Sequence, residues 1–352
     1  MLKRQKIYCV VCVAVFLLLF LWCFHKSTYI LRYKAHANDT VGSFYNEKSD
    51  SIDVVFVGSS HAYRGFSPME AWNRQGFTSY TLATQEQSIP VSYYLMKEAI
   101  RTQHPKVIVL EVYGAKFKAD YTTTPRVHAA IDGIPINRTK LEIFGKLLPR
   151  SMNMSEILEF VFPIIYYHDR WDSLEEKDFH PLNSCLRGFL VSYKTQAQEE
   201  PGEVPTEEEK IYEGAMEYLE KIVSLCRENN VELLLCQTPS GDYSSYGIVR
   251  RKVNTVKKRA QELGVPFVDF EQLRDELHLD YATDFRDHTH LSMYGAEKVT
   301  NYISDYLTEH YELVDHRGDG EYADWEQDYQ DYLLLKEEKR LSSSTEVEPA
   351  DE

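Results

Sequence analysis

Three residues in this chain have the types and the order needed for acyl transfer. Ser60 lies in "DVVFVGSSHAYRGFSP", residues 53–68, where four apolar residues run straight into Gly58-Ser59-Ser60-His61. Asp287 and His290 lie far downstream in "DFRDHTHLSMYG", residues 284–295. A serine hydroxyl attacks a carbonyl only when a base takes its proton, and the base needs an acid to fix its tautomer. Two residues three apart on one loop can supply both: Asp287 accepts from one imidazole nitrogen of His290 and the other nitrogen faces Ser60. Gly58 removes side-chain bulk where the chain turns out of its strand, and a backbone N–H there can join an oxyanion site.

Plainer readings stand beside this one. Ser60 alone reads as a turn or helix-capping residue. His61 reads as structural or substrate-side, and His288 competes with His290 for the base, with the following Leu-Ser-x-x-Gly favouring His290. Asp284, Asp287, His288 and His290 together also suit several cations, but a serine triad needs no metal and no cofactor, and neither is expected. Arg170 and Trp171, in "YYHDRWDSL", are candidate substrate-binding residues for a glycan through stacking and charge-assisted hydrogen bonds. Packing is the commoner role of such an aromatic patch.

For these groups to meet, the chain between them must return residue 290 to residue 60. From residue 50, short apolar runs alternate with stretches of helical period, which predicts an α/β fold with a parallel sheet covered by helices. The predicted strands are 53–57, 80–82, 107–112, 231–236 and 266–270. The predicted helices are 91–102, 206–229 (opening on a Thr-x-x-Glu capping box), 250–263 and 293–307. Ligands of an open parallel sheet bind beyond the carboxyl ends of the strands. Residues 58–61, 83–88, 111–114, 237–240 and 284–295 all follow such ends, so the reactive groups share one rim. Residues 116–205 break the alternation and read as an insertion into a domain spanning 50–314, folded against the sheet edge or over the site. Residues 315–352 hold 13 acids against four bases and read as an acidic C-terminal tail, disordered over its last dozen residues.

Residues 7–24, "IYCVVCVAVFLLLFLWCF", carry no charge and are long enough to span a hydrocarbon core. They predict a membrane anchor over 1–34, with Trp22 at an interface. The Ala35-x-Ala37 cleavage signal lies well beyond the apolar run, so an uncleaved anchor is expected. Lys3, Arg4 and Lys6 balance Lys26, Arg32 and Lys34, and orientation rests on the short first flank: an inside N-terminus and a single-pass, exported body. The net charge is −16, and −22 without the first 34 residues. Such a surface repels phosphate backbones, which argues against a nucleic-acid partner and for a neutral or cationic glycan substrate. Cys185, Cys226 and Cys236 are widely spaced with no C-x-x-C, so neither a zinc knuckle nor a disulfide framework is indicated.

A first strand closing on Gly-x-Ser, with Asp-x-x-His near the end of the domain and a glycine five residues later, resembles the SGNH/GDSL hydrolase superfamily. The Gly-Ser-Ser form resembles most a membrane-anchored, exported branch, which is similar to the D-alanyl-transfer protein of teichoic acid synthesis and to exopolysaccharide O-acetylation proteins. The resemblance covers roughly residues 50–115 and 230–308. It implies a flavodoxin-like three-layer sandwich of about five parallel strands, with Ser60 as nucleophile, His290 as base and Asp287 as acid. The implied chemistry is hydrolysis or transfer of acyl esters on a cell-surface glycan or glycopolymer, with a membrane acyltransferase as a conceivable partner. The superfamily carries a Gly after strand two and Gly-x-Asn-Asp after strand three. Here "TQEQS" puts Glu86 at that glycine, with Gln87 beside it as a candidate oxyanion donor, and "EVYG" holds no Asn. Those departures support a second class, a non-catalytic, membrane-tethered carbohydrate-binding or assembly protein. The G-x-S-x-G elbow of α/β-hydrolases nearly fits residues 58–62, but it places the serine after several strands and the acid and base on separate loops.

Overall fold

The computed structural model describes residues 2–33, 40–117, 124–148, 152–179, 184–200, 202–241 and 247–345. These divide into two units, one built from residues 2–33 and 152–179 and the other from the remainder. The helices used below are α1 (Leu2–Tyr33), α2 (Ser60–Gly65), α3 (Pro68–Gln75), α4 (Ile89–Gln103), α5 (Met154–Val161), α6 (Ile164–Tyr167), α7 (Glu213–Glu228), α8 (Gly247–Glu262), α9 (Met293–His310) and α10 (Ala323–Thr345).

The larger unit is built on strands β1 (Val54–Gly58), β2 (Ser79–Ala83), β3 (Val107–Glu111), β4 (Glu232–Gln237) and β5 (Phe267–Asp269), all parallel, in the order β2-β1-β3-β4-β5. This is the flavodoxin-like doubly wound order, whose ligand crevice opens between β1 and β3, where successive connections leave in opposite directions. The strands are Val- and Leu-rich because helices cover both faces. On one face, Val54, Phe56, Val109 and Leu234 pack with Ala71, Val299, Ile303 and Leu307 of α3 and α9. On the other, α4 and α7 pack together against β1 and β4. Gly58 pairs with Ala83 and Glu111 with Cys236, so the carboxyl ends align at one rim. Cys185, Cys226 and Cys236 are buried free thiols.

Two readings of the sequence change here, the start of α7 and the order of the tail. Residues 206–212 are not the first turns of a helix: α7 starts at Glu213, and Asn254 and Thr255 of α8 donate to the carbonyls of Pro205, Glu207 and Glu209. Those side-chain donors hold the acidic run extended along α8, which leaves the capping box unused. Within 116–205, residues 152–179 group with α1, while the flanking described residues group with the sheet. The 184–190 flank covers the open edge of β2, where Thr81 N–H donates to the Arg187 carbonyl at 2.9 Å. The acidic tail forms α10, which packs on α3: buried Trp325 lies 5.3 Å from Trp72, and the Tyr332 hydroxyl donates to Glu70 at 2.9 Å. Helix continues through residue 345, and the rest of the expected disorder lies outside the described residues.

In the smaller unit, α1 is apolar and long enough to cross a membrane. Asn153 and Glu156 cap the start of α5 reciprocally, each side chain accepting from the other's backbone N–H. The Phe24 and Phe162 rings meet edge to face at 6.1 Å. Arg170 donates to the Leu31 carbonyl and pairs with buried Asp178.

Candidate active site

The serine is placed by what lies beneath it. A Cβ on Gly58 would stand 2.8 Å from Glu111 Cβ and 2.9 Å from Ala62 Cβ, so only glycine lets β1 end this close to β3 and α2. Ser59 takes the capping role, accepting from His61 N–H, while its hydroxyl donates to buried Glu111 at 3.2 Å. Ser60 is therefore released from capping and begins α2, its side chain directed to the rim. Burial pushes the Glu111 carboxyl up to about 7, against the lowering effect of hydrogen bonds from Tyr113 N–H and Ser59.

Asp287 and His290 come from a pinned loop. Buried Phe285 and Leu291 pair across it, and Arg286 N–H donates to the His290 carbonyl at 2.9 Å. The Leu-Ser-x-x-Gly signal has a steric cause: a Cβ on Gly295 would stand 2.3 Å from the Asp284 carbonyl oxygen, so α9 could not dock here with any larger residue. Within the loop, Asp287 Oδ1 accepts from the N–H groups of Thr289 and His290, both at 2.9 Å. His290 Nδ1 lies 3.0 Å from both Asp287 oxygens, and Nε2 lies 2.8 Å from Ser60 Oγ. With Asp287 accepting, the proton sits on Nδ1, which leaves Nε2 as the acceptor for the serine hydroxyl. Burial disfavours the Asp287 charge, but the hydrogen bond and charge of His290 and the two backbone donors outweigh it and hold the carboxyl well below its ordinary range.

A cavity of about 360 Å³ opens beside these three residues, walled by Lys194, Gln196, Arg286 and His288 as well as Asp287 and His290. Arg64 adds a second guanidinium near Arg286: burial and the Arg286 charge lower its proton affinity, and its Nη1 is buried with no acceptor. The rim is thus locally cationic although the chain is acidic. Lys194, Arg64 and Arg286 carry no signal in the sequence, because isolated basic residues are normally solvated surface and only the fold brings them to one rim.

The other expected site residues are placed as follows. His61 is buried, stacks on Tyr113 at 3.7 Å and lies 3.1 Å from Thr238 Oγ1 through Nδ1. Burial and the neighbouring His290 charge hold it neutral, which suits support rather than proton transfer. His288 is exposed on the cavity wall. Gln87 is fully buried, with its amide donating to Ser92 at 3.0 Å and its carbonyl accepting from Thr84, so its side chain is spent on its own loop. Glu86 carries φ +50, the left-handed conformation that favours glycine, at the position where the resemblance expects one. Asp284 is buried and paired with Lys298 at 2.7 Å, which removes it from the alternative metal set. Among the described residues no group of three or more His, Cys, Asp and Glu is arranged to hold a metal. Arg170 and Trp171 lie in the smaller unit, with Arg170 engaged by Leu31 and Asp178 and Trp171 exposed. Packing, the commoner alternative, describes Arg170.

No family model and no curated protein matches the sequence. Solved structures similar to the chain include a candidate acylhydrolase from Bacteroides fragilis, at 12% identity, covering 76% of this chain and 92% of that one with a TM-score of 0.36. A GDSL-like lipase from Bacteroides thetaiotaomicron is similar at 10% identity, covering 73% and 87% with a TM-score of 0.35.

Proposed function

We propose that this chain is a membrane-anchored serine esterase or O-acyltransferase that uses Ser60, His290 and Asp287 on acyl esters of a cell-surface glycan or glycopolymer. The observation that carries the reading is the unbroken line of contacts from Ser60 Oγ through the His290 ring to Asp287, at 2.8 and 3.0 Å. Ser60 Oγ attacks the acyl carbonyl carbon while His290 Nε2 takes its proton. Collapse of the tetrahedral intermediate expels the alcohol, which receives that proton, and leaves the acyl group on Ser60. Water or a sugar hydroxyl, deprotonated by the same nitrogen, then attacks the acyl carbonyl, and Nε2 returns that proton to Ser60 Oγ as the acyl–Oγ bond breaks, freeing the acid or the acylated sugar. Asp287 holds the Nδ1–H tautomer and stabilises the imidazolium formed in each half-reaction. Lys194 and Arg286 at the cavity favour an ester carrying acidic groups, where bulk charge alone had suggested a neutral or cationic one. Helix α1 serves as the anchor, with the larger unit exported.

The test is labelling by a serine-directed fluorophosphonate. The expected result is a single adduct on Ser60, lost in Ser60→Ala and in His290→Ala. Absence of labelling in folded protein overturns the catalytic reading. A binding or assembly role is the second reading, favoured by Gln87, whose amide is spent on Ser92 and is not offered to an oxyanion. Glycan retention unchanged by Ser60→Ala, without turnover of any ester, would select it. Hydrolysis and transfer are separated by supplying an acyl donor with a glycan and assaying for acylated glycan against free acid.

A further inference from the structure

The smaller unit presents an apolar surface that the triad does not use. Met154 and Leu158 stand one turn apart on α5, and Phe162 and Ile165 follow where the helix breaks at Phe162 and resumes as α6, so the segment carries a stripe of exposed apolar side chains along its length. These four, with Trp171 and Phe179, are between 38% and 72% exposed, while Phe160 and Tyr167 face inward and are buried. A stripe of this kind marks an interaction surface.

Its continuity with α1 identifies the occupant. Phe162 contacts Phe24, the last residue of the apolar run, immediately before His25 and Lys26 bring polarity back. Arg170 ties the 168–172 turn to the Leu31 carbonyl, one to two turns further along. The stripe therefore sits beside the point where a spanning α1 would leave the hydrocarbon, with Trp171 suited to the headgroup boundary. Charge narrows the lipid. Glu156, Glu159, Asp169, Asp172, Glu175, Glu176 and Asp178 outnumber Arg170 and Lys177 between residues 154 and 179, so the segment itself does not attract anionic headgroups and its insertion rests on apolar contact, while Lys26 and Arg32 supply the basic charge at the end of α1.

We infer that residues 154–179 are an interfacial platform, whose apolar stripe lies in the headgroup–acyl boundary of the bilayer around the exit of α1. This rests on α1 as the membrane anchor. The platform makes the small unit a surface-bound foot rather than a plain tether, and it gives Trp171 a lipid-facing role.

The experiment uses the full chain in phosphatidylcholine nanodiscs, with Cys9, Cys12 and Cys23 replaced by serine and one spin label per protein. Labels go on Leu158→Cys, Ile165→Cys and Trp171→Cys, with Leu17→Cys as the hydrocarbon reference and exposed Leu334→Cys as the aqueous one. Collision with oxygen is compared with collision with a water-soluble nickel chelate. The expected result is that the three platform labels favour oxygen several-fold more than Leu334→Cys and less than Leu17→Cys. Platform labels that match Leu334→Cys, while Leu17→Cys reads as buried in lipid, overturn the platform and leave the anchor standing. An aqueous Leu17→Cys overturns both. Platform labels shielded from both reagents mark a protein contact and likewise overturn the lipid assignment.

Discussion

At the scale of single residues, the site is a problem of charge placement. Asp287 is half-buried yet held ionised by His290 and two backbone donors, so Asp287→Asn keeps the shape while removing the charge that fixes the tautomer. The expected effect is a fall in kcat on the order of 10⁴ with KM nearly unchanged, read from steady-state hydrolysis of an aryl ester. Glu111, beneath the serine turn, behaves in the opposite sense. Its carboxyl is raised to about 7 by burial, so the folded state binds a proton that the unfolded chain has released. Its contribution to stability is fully present below the unfolded value of 4.5 and is lost as pH rises through about 7. Glu111→Gln removes this dependence. Denaturant unfolding of the two proteins should show their stability difference moving by about 3 kcal/mol in favour of the variant from pH 4 to pH 8. A pH-independent difference would mean that Glu111 ionises freely in the fold.

At the scale of elements, backbone approach decides where the side chains go. The contacts of 2.8 and 2.9 Å that a Cβ on Gly58 would make are with the side-chain stems of β3 and α2, neither of which can rotate away. Gly58→Ala is expected to cost about 1–3 kcal/mol and, by displacing α2, to slow fluorophosphonate labelling of Ser60 even in folded protein. Normal labelling with normal stability would show that the turn has slack. Strands were legible in the sequence because a parallel sheet covered on both faces demands unbroken apolar runs, and "VVFV" and "VIVL" admit few other placements. Helix starts were less so. Thr206 carries an acceptable capping signal, but the donors that override it, Asn254 and Thr255, lie on another element far along the chain.

At the scale of the whole molecule, long-range pairings complete the larger unit. Trp325 is buried against Trp72 with the Arg187 guanidinium 3.7 Å above its ring, joining the C-terminal helix, α3 and the segment that covers the β2 edge. Trp325→Ala should cost about 3–5 kcal/mol, measured by thermal or denaturant unfolding, whereas a peripheral tail would make it nearly neutral. The sequence by itself determined the alternation of strands and helices, the anchor-length apolar helix and the spacing of Asp287 and His290, because these are local patterns that few backbone arrangements can satisfy. It also pointed to Ser60, through the abrupt change from an apolar strand to Gly-Ser-Ser. Only the tertiary structure decided that Ser60 and His290 lie 2.8 Å apart, that Gln87 is spent on Ser92, and that Lys194 and Arg286 share one cavity. It likewise decided that residues 152–179 belong with α1 and that an acid-rich tail buries Trp325 and Tyr332. The reason is the same in each case: a side chain's partner is set by which distant element the fold lays beside it, and neither composition nor local period carries that information.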